Sequence, residues 1–141
     1  MLAGRASFYI LCNSVILVCP ENEKDFFDCV VDSVCIYANT KQNIQNMYKE
    51  VYDVLKTGGK LYTSCFGTKT QGYGTGKCIE NGTYEDIESG VLAGRAIAHF
   101  FFKEELESTL KSVGFRNIVI DNILYTDNGV QVEQFIAQAE K

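Results

Sequence analysis

Hydrophobic and polar positions follow different periods along this chain, and each change of period marks an element. Residues 8–19 are rich in β-branched and aromatic types and end at Pro20. That composition predicts one or two strands, with a polar loop from Glu21 to Asp25 after them. Phe26 to Asp32 (FFDCVVD) is a short continuous apolar run bounded by acids, which suits a strand buried on both faces of a parallel sheet. Ile44, Met47, Tyr48, Val51 and Leu55 then recur at helical spacing and form one apolar stripe. Thr40 stands where its hydroxyl caps the first turn, and Gly58-Gly59 stands where a left-handed C-cap is expected. Lys60 to Phe66 (KLYTSCF) is the next predicted strand. A helix between two strands is the usual crossover between parallel neighbours, and such crossovers are right-handed.

Residues 67–95 break this regularity. They hold Gly67, Gly72, Gly74, Gly76, Gly82, Gly90 and Gly94 among polar and aromatic residues, and are expected to form a long loop that covers a site. Ala96 to Phe102 is apolar and reads as a short strand or the run-in to a helix. Lys103 to Val113 is helical by pattern, with Leu106 and Leu110 inward and Gly114 as the stop. Asn117 to Tyr125 and Val130 to Ala139 read as strands around Asp127-Asn128-Gly129, and Asn-Gly is a strong hairpin signal because both residues accept positive φ. The fold class is therefore α/β, with a parallel βαβ core and a C-terminal antiparallel hairpin. One domain spans 1–141, divided into 1–25, the βαβ unit 26–66, the loop 67–102 and the helix plus hairpin 103–141.

Composition narrows the partners. The 141 residues are 46% hydrophobic and 22% charged, an ordinary globular balance for one domain. The net charge is -5 and no basic stripe exists, which argues against nucleic acid and against anionic membrane surfaces. The longest apolar stretch, Phe8 to Cys19, is broken by Asn13 and Ser14 and is too short to span a bilayer. Those same interruptions, with no small-residue cleavage site after them, argue against a secretory leader. The six cysteines show no pair two residues apart, so zinc and dithiol spacings are absent. Buried free thiols in a reducing cytoplasm are the expectation.

Three stretches carry a resemblance to the second half of class I S-adenosylmethionine-dependent methyltransferases of the small-molecule type. FDCVVDSVCIYAN (Phe27 to Asn39) resembles that family's fourth strand and the turn lining the methyl-transfer site. MYKEVYDVLKTGGKLYTSCF (Met47 to Phe66) resembles its next helix and strand, and FFKEELESTLKSVGFRNIVID with the final hairpin resembles its last helix and strands. Gly74 to Phe101 resembles a loop of small-molecule members. The resemblance implies a truncated Rossmann-like methyltransferase sheet, with 1–25 a remnant of the third-strand region. It implies S-adenosylmethionine as cofactor and a small-molecule acceptor methylated on O or N. The family's Gly-rich turn after its first strand, and the acid ending its second, grip the nucleotide. Neither is in this sequence, so cofactor binding and transfer are expected to be impaired. The rival reading is a non-catalytic half-domain acting as an assembly or partner module, or a gene fragment without function.

By the same resemblance Asn13 or Ser14 lies near adenine, and Asp32, Ser33 and Val34 face the methionine part of the cofactor. Asp32 alternatively only begins a turn. Tyr37 and Asn39 follow on that loop, with Ala38 between them. His99, the sole histidine, is a candidate base, or a half-buried structural residue among Ile97, Ala98, Phe100 and Phe101. Glu80, Glu85, Asp86 and Glu88 either bind a cationic acceptor or form a solvated acidic loop. Tyr62, Tyr73 and Tyr84 either line an acceptor pocket or pack. With no first strand beside it, the strand 26–32 would expose an apolar edge. Two repairs are open: residues 8–19 fold back beside it, or two chains form a homodimer by edge pairing or by exchange of N-terminal strands, and the homodimer is the expected one.

Overall fold

The computed structural model describes residues 8–12, as backbone, and residues 24–141. The main sheet has five strands in the order β1-β2-β3-β8-β7. Strands β1 (Phe8–Cys12), β2 (Phe27–Ser33) and β3 (Leu55–Phe66) run parallel. Strands β7 (Arg116–Asp127) and β8 (Val130–Glu140) form the hairpin, and β8 lies antiparallel to β3. Helix α1 (Lys41–Val54) is the β2–β3 crossover, and α2 (Lys103–Val113) precedes the hairpin. The expected βαβ core plus hairpin is the observed architecture.

The apolar stripes foreseen on both helices form the core. Ile44, Tyr48 and Val51 of α1 and Leu106 and Leu110 of α2 are buried. They belong to one cluster with Val30, Leu61, Cys65, Ala137 and Ala139 of the sheet. The Thr40 hydroxyl accepts the Asn43 N–H, capping α1 as expected. The other end differs. Gly58-Gly59 is not the C-cap, because the helix stops at Val54 and Leu55 is already extended (ψ 139°). The two glycines lie inside β3. Gly58 takes φ 78° and its N–H donates to the Lys141 carbonyl, while the Gly59 carbonyl accepts the Lys141 N–H. A Cβ on Gly59 would sit 2.8 Å from the Lys56 carbonyl oxygen, so a residue without one is needed where the strand bends.

Of the two repairs for the β2 edge, the structure shows the fold-back. β1 pairs with β2 from Phe8↔Cys29 to Cys12↔Ser33, in the place the resemblance gives to a first strand. The segment 67–102 departs from a plain loop over 67–95, while its end, Ala96 to Phe102, holds a short strand, one of the two readings of its pattern. It carries a second sheet of three short antiparallel strands, β4 (Lys77–Glu80), β5 (Thr83–Glu85) and β6 (Ala98–His99). That sheet hangs from the carboxyl ends of the main strands. The His99 N–H donates to the Tyr37 carbonyl and the Phe101 N–H to the Phe66 carbonyl. The buried Glu133 carboxylate holds the start of the segment by accepting the Lys69 N–H (2.9 Å), and Asn122 also donates to it (2.9 Å).

Both helices cover the same face of the main sheet. The opposite face carries a row set by register: Val31 beside Tyr62, Tyr62 beside Gln138, and Gln138 beside Val119. Tyr62, Val119, Ile123 and Tyr125 are exposed. No helix among the described residues is long and apolar enough to cross a membrane.

Gly82, in the β4–β5 turn, takes φ 86°, and a Cβ there would lie 2.8 Å from Cε1 of His99. Gly82→Ala is expected to destabilise the protein by about 2–3 kcal/mol, from left-handed strain plus that clash. Gly74→Ala has the same strain but no neighbour within 4 Å, and is expected to cost about 1 kcal/mol. Urea denaturation of both variants measures the difference.

Candidate functional site

In open α/β sheets, ligands sit beyond the carboxyl ends of the strands. Here those ends are Ser33 and Phe66, with the connection Val34 to Thr40 between β2 and α1. Ser33 is exposed. Val34 has φ 49°, a conformation that β-branched residues avoid and that costs about 1–3 kcal/mol. Its N–H donates to Oγ of Ser64 on β3 (3.2 Å). The strain therefore sits at the crevice, held by a cross-strand hydrogen bond. Below it, a shallow cleft of about 190 Å³ runs along the face opposite the helices, lined by Val31, Ser33, Tyr62, Ser64, Gln134 and Ile136 together with Asp32 and Thr63.

Asp32 faces the other way. It is buried at 2% exposure, and its oxygens are committed within the fold. Oδ1 accepts the Cys35 N–H (3.0 Å) and the Ile36 N–H (3.2 Å), and Oδ2 accepts the Thr63 hydroxyl (2.6 Å). Since Thr63 gives its one proton to Asp32, the buried Tyr48 hydroxyl donates to Thr63 (2.9 Å). The turn-forming alternative thus describes where the structure puts Asp32. Burial pushes its carboxyl up, and the hydrogen bonds from Thr63, Cys35 and Ile36 offset this only in part.

His99 is fully buried rather than half-buried, and both ring nitrogens are engaged. Nε2 donates to Oε1 of Glu105 (3.1 Å), and Nδ1 meets Oγ1 of Thr83 (2.8 Å). Thr83 also donates to Oε1 of Glu80 (3.1 Å), which accepts the Lys41 N–H (2.6 Å). Lys41 Nζ closes the ring on Glu105 at 3.1 Å. This ring ties the small sheet to the first turns of α1 and α2. It leaves His99 no free nitrogen for a base's work, and it makes Glu80 a partner of the α1 N-terminus.

The tyrosines divide. Tyr37 is buried, with its ring edge-on to Phe66 at 4.9 Å. Tyr73 and Tyr84 are half-buried and meet edge-to-face at 5.7 Å, both against the buried Phe100. They form one packed cluster with Phe100 beside the small sheet. Asn13 lies outside the described residues. The structure thus brings Ser33 and Val34 together with Ser64, a residue the sequence did not single out. Asp32 lines the same cleft but turns its carboxylate to the other face, and Tyr37 and His99 do not line it. Glu105 and Thr83 were also missed: each lies in a segment read only as helix or loop, and register and packing alone bring them to His99.

No family model matches the chain, and no curated protein does. Solved structures match its fold. A SAM-dependent methyltransferase of Methanosarcina mazei superposes with TM-score 0.67 at 25% identity, covering 87% of this chain and 63% of that one. The 1,6-didemethyltoxoflavin N1-methyltransferase of Burkholderia thailandensis, solved with 1,6-didemethyltoxoflavin and S-adenosylhomocysteine, gives TM-score 0.62 at 17% identity, over 87% of this chain and 48% of that one. An S-adenosylmethionine-dependent methyltransferase of Mesorhizobium loti gives TM-score 0.63 at 15% identity, over 84% and 64%. The chain spans less than two thirds of the length of each. Its fold is that of a portion of the Rossmann-like methyltransferase domain.

The raised pKa of Asp32 has a sign that can be read. The protonated form is favoured in the fold, so its contribution to stability is full below the ordinary value of 3.8 and is lost as pH rises through the native value. Asp32→Asn keeps an acceptor for Cys35 and Ile36 and a donor toward Thr63. It is expected to fold, and the wild type should lose stability relative to it as pH rises from about 4 to 7. Urea midpoints of the two proteins across that range check this.

Proposed function

We propose that this chain supplies the acceptor side of S-adenosylmethionine-dependent methyl transfer to an O or N atom of a small metabolite. The observation that carries the reading is the strained Val34 at the carboxyl end of β2, beside exposed Ser33 and the Ser64 hydroxyl. These residues fit the methionyl end of the cofactor: hydroxyls and a backbone turn meet polar groups at a crevice. The adenosine end is not matched in the same way. After β1 no glycine occurs before Gly58, so no Gly-rich turn adjoins the crevice to let the backbone approach a nucleotide. When bound, the cofactor would supply an electrophilic methyl group. The chain's own contribution is alignment of the acceptor with that methyl, which is most of what such a transfer asks of a protein. That His99 and Asp32 are committed elsewhere is consistent with a transfer that uses no strong base. Weak grip on adenosine makes transfer by this chain alone slow.

The rival reading, a partner or assembly module, is favoured by one specific observation. Tyr62, Val119, Ile123 and Tyr125 expose apolar surface on one sheet face, and such surface marks interaction sites. A cytoplasmic homodimer, through the edge of the strand 26–32 or by exchange of N-terminal strands, belongs to this second reading.

Calorimetric titration with S-adenosylhomocysteine separates the two. The methyl-transfer reading expects a Kd of about 100 μM or tighter, near −5.5 kcal/mol, and its loss in Ser33→Phe, which fills the crevice. Absence of both heat and thermal shift for the wild type supports the module instead.

A further inference from the structure

A larger cleft, of about 380 Å³, lies between α1 and α2. It shares no lining residue with the crevice at Ser33 and opens on the helix side of the sheet. Its floor is buried: Ile44, His99 and Phe101 are almost wholly shielded from solvent, with the His99 ring edge-on to Phe101 at 4.5 Å.

The polar lining differs between its two walls: the α1 wall carries the amides of Gln42 and Gln45, each with one N–H spent on Asn46 (3.1 Å) and Ser112 (3.3 Å), and the α2 wall carries acceptors. The Ser108 hydroxyl donates to the Glu105 carbonyl (3.0 Å), Thr109 to the same carbonyl (2.8 Å), and Ser112 to the Thr109 carbonyl (2.7 Å). A hydroxyl has one proton, so Ser108 and Thr109 turn only lone pairs outward, while Ser112 also accepts the Gln45 Nε2–H (3.3 Å). The Glu105 carboxylate holds His99 Nε2 and Lys41 Nζ on Oε1 alone. Among the described residues, nothing is bonded to its Oε2. Burial would raise this carboxyl, but His99 and Lys41 outweigh it and hold it below the usual glutamate range, as an anion. The single cationic group at the rim is Lys41, whose side chain is 40% exposed and whose ion pair is therefore weak.

An anion on the α2 wall, beside Glu105, would meet lone pairs and a carboxylate, the amide donors of Gln42 and Gln45 lying on the α1 wall. A hydrogen-bond donor with positive charge would meet partners there, in Glu105 Oε2 and the hydroxyl lone pairs of Ser108 and Thr109. The geometry points to a binding site for a small primary amine, its ammonium group on Glu105 Oε2 and its apolar body over Phe101 and Ile44. The ammonium competes with Lys41 for the same carboxylate, so Lys41 acts against the ligand. The site stands independently of the methyl-transfer reading, since it uses none of the residues at Ser33 and Val34.

The sole histidine provides the reporter, because its ring forms part of the cleft floor. Benzylamine titrated into the protein, with the His99 ring signals followed by NMR, is expected to give a saturable shift, and benzoate none. Lys41→Met is expected to tighten benzylamine binding at least threefold by removing the competing cation. Glu105→Gln, which keeps an acceptor for His99, is expected to weaken it at least tenfold. Benzoate saturating as tightly as benzylamine, weaker benzylamine binding by Lys41→Met, or no saturation by about 10 mM amine would each overturn the proposal. Lys41 is exposed, so its variant remains a valid test even where Glu105→Gln is poorly folded.

Discussion

A single buried carboxylate sets the geometry of the candidate site. Asp32 joins three pieces: the end of β2 that carries it, β3 through Thr63, and the following turn through the N–H groups of Cys35 and Ile36. Tyr48 adds α1 to the same chain of hydrogen bonds. A charge or polar group taken out of water is tolerable only when its hydrogen bonds are made, and here they are made inside the fold. With Asp32 anchored inward, Ser33 next to it points outward, since neighbours on a strand face opposite sides. The chain must then turn sharply, and Val34 accepts the left-handed conformation that the turn imposes.

Much of this was legible in residue order. The period change from FFDCVVD to the α1 stripe identified a strand and a crossover helix, and Thr40 and Gly114 marked real helix ends. The Asn128-Gly129 hairpin is where the turn chemistry put it. What could not be read has a common cause. Gly58-Gly59 looked like a helix stop because a glycine pair serves a cap and a bent strand equally; only pairing with Lys141 decides between them. The small sheet was hidden because its strands are two to four residues long and carry no clear alternation. At the site, Ser33 and Val34 were visible, but the inward turn of Asp32 depends on which face of β2 meets α1. His99 likewise needed Thr83 and Glu105, residues from different elements, before its role could be assigned.

The two faces of the main sheet differ physically. One buries the apolar stripes of α1 and α2. The other presents Val31, Tyr62, Ile123 and Val119 among glutamines and serines, with no helix over it among the described residues. Parallel strands are ordinarily covered on both sides. The solved methyltransferases that share this fold are longer than the matched region by a third or more of their length. The two clefts follow the same division, a shallow one on the bare face and a deeper one between the helices.

The placement of β8 bears on how the polypeptide comes together during synthesis. It follows every other strand in the chain, yet it lies between β3 and β7, with Lys60 paired to Glu140, 80 positions away. Contacts so distant along the chain are slow to form because loop closure precedes their reward. On a ribosome, β1, β2 and β3 therefore wait with one edge of β3 unpaired until β8 emerges. Throughout that interval the nascent chain is open to association with its neighbours, a vulnerability of sheets whose inner strand arrives last.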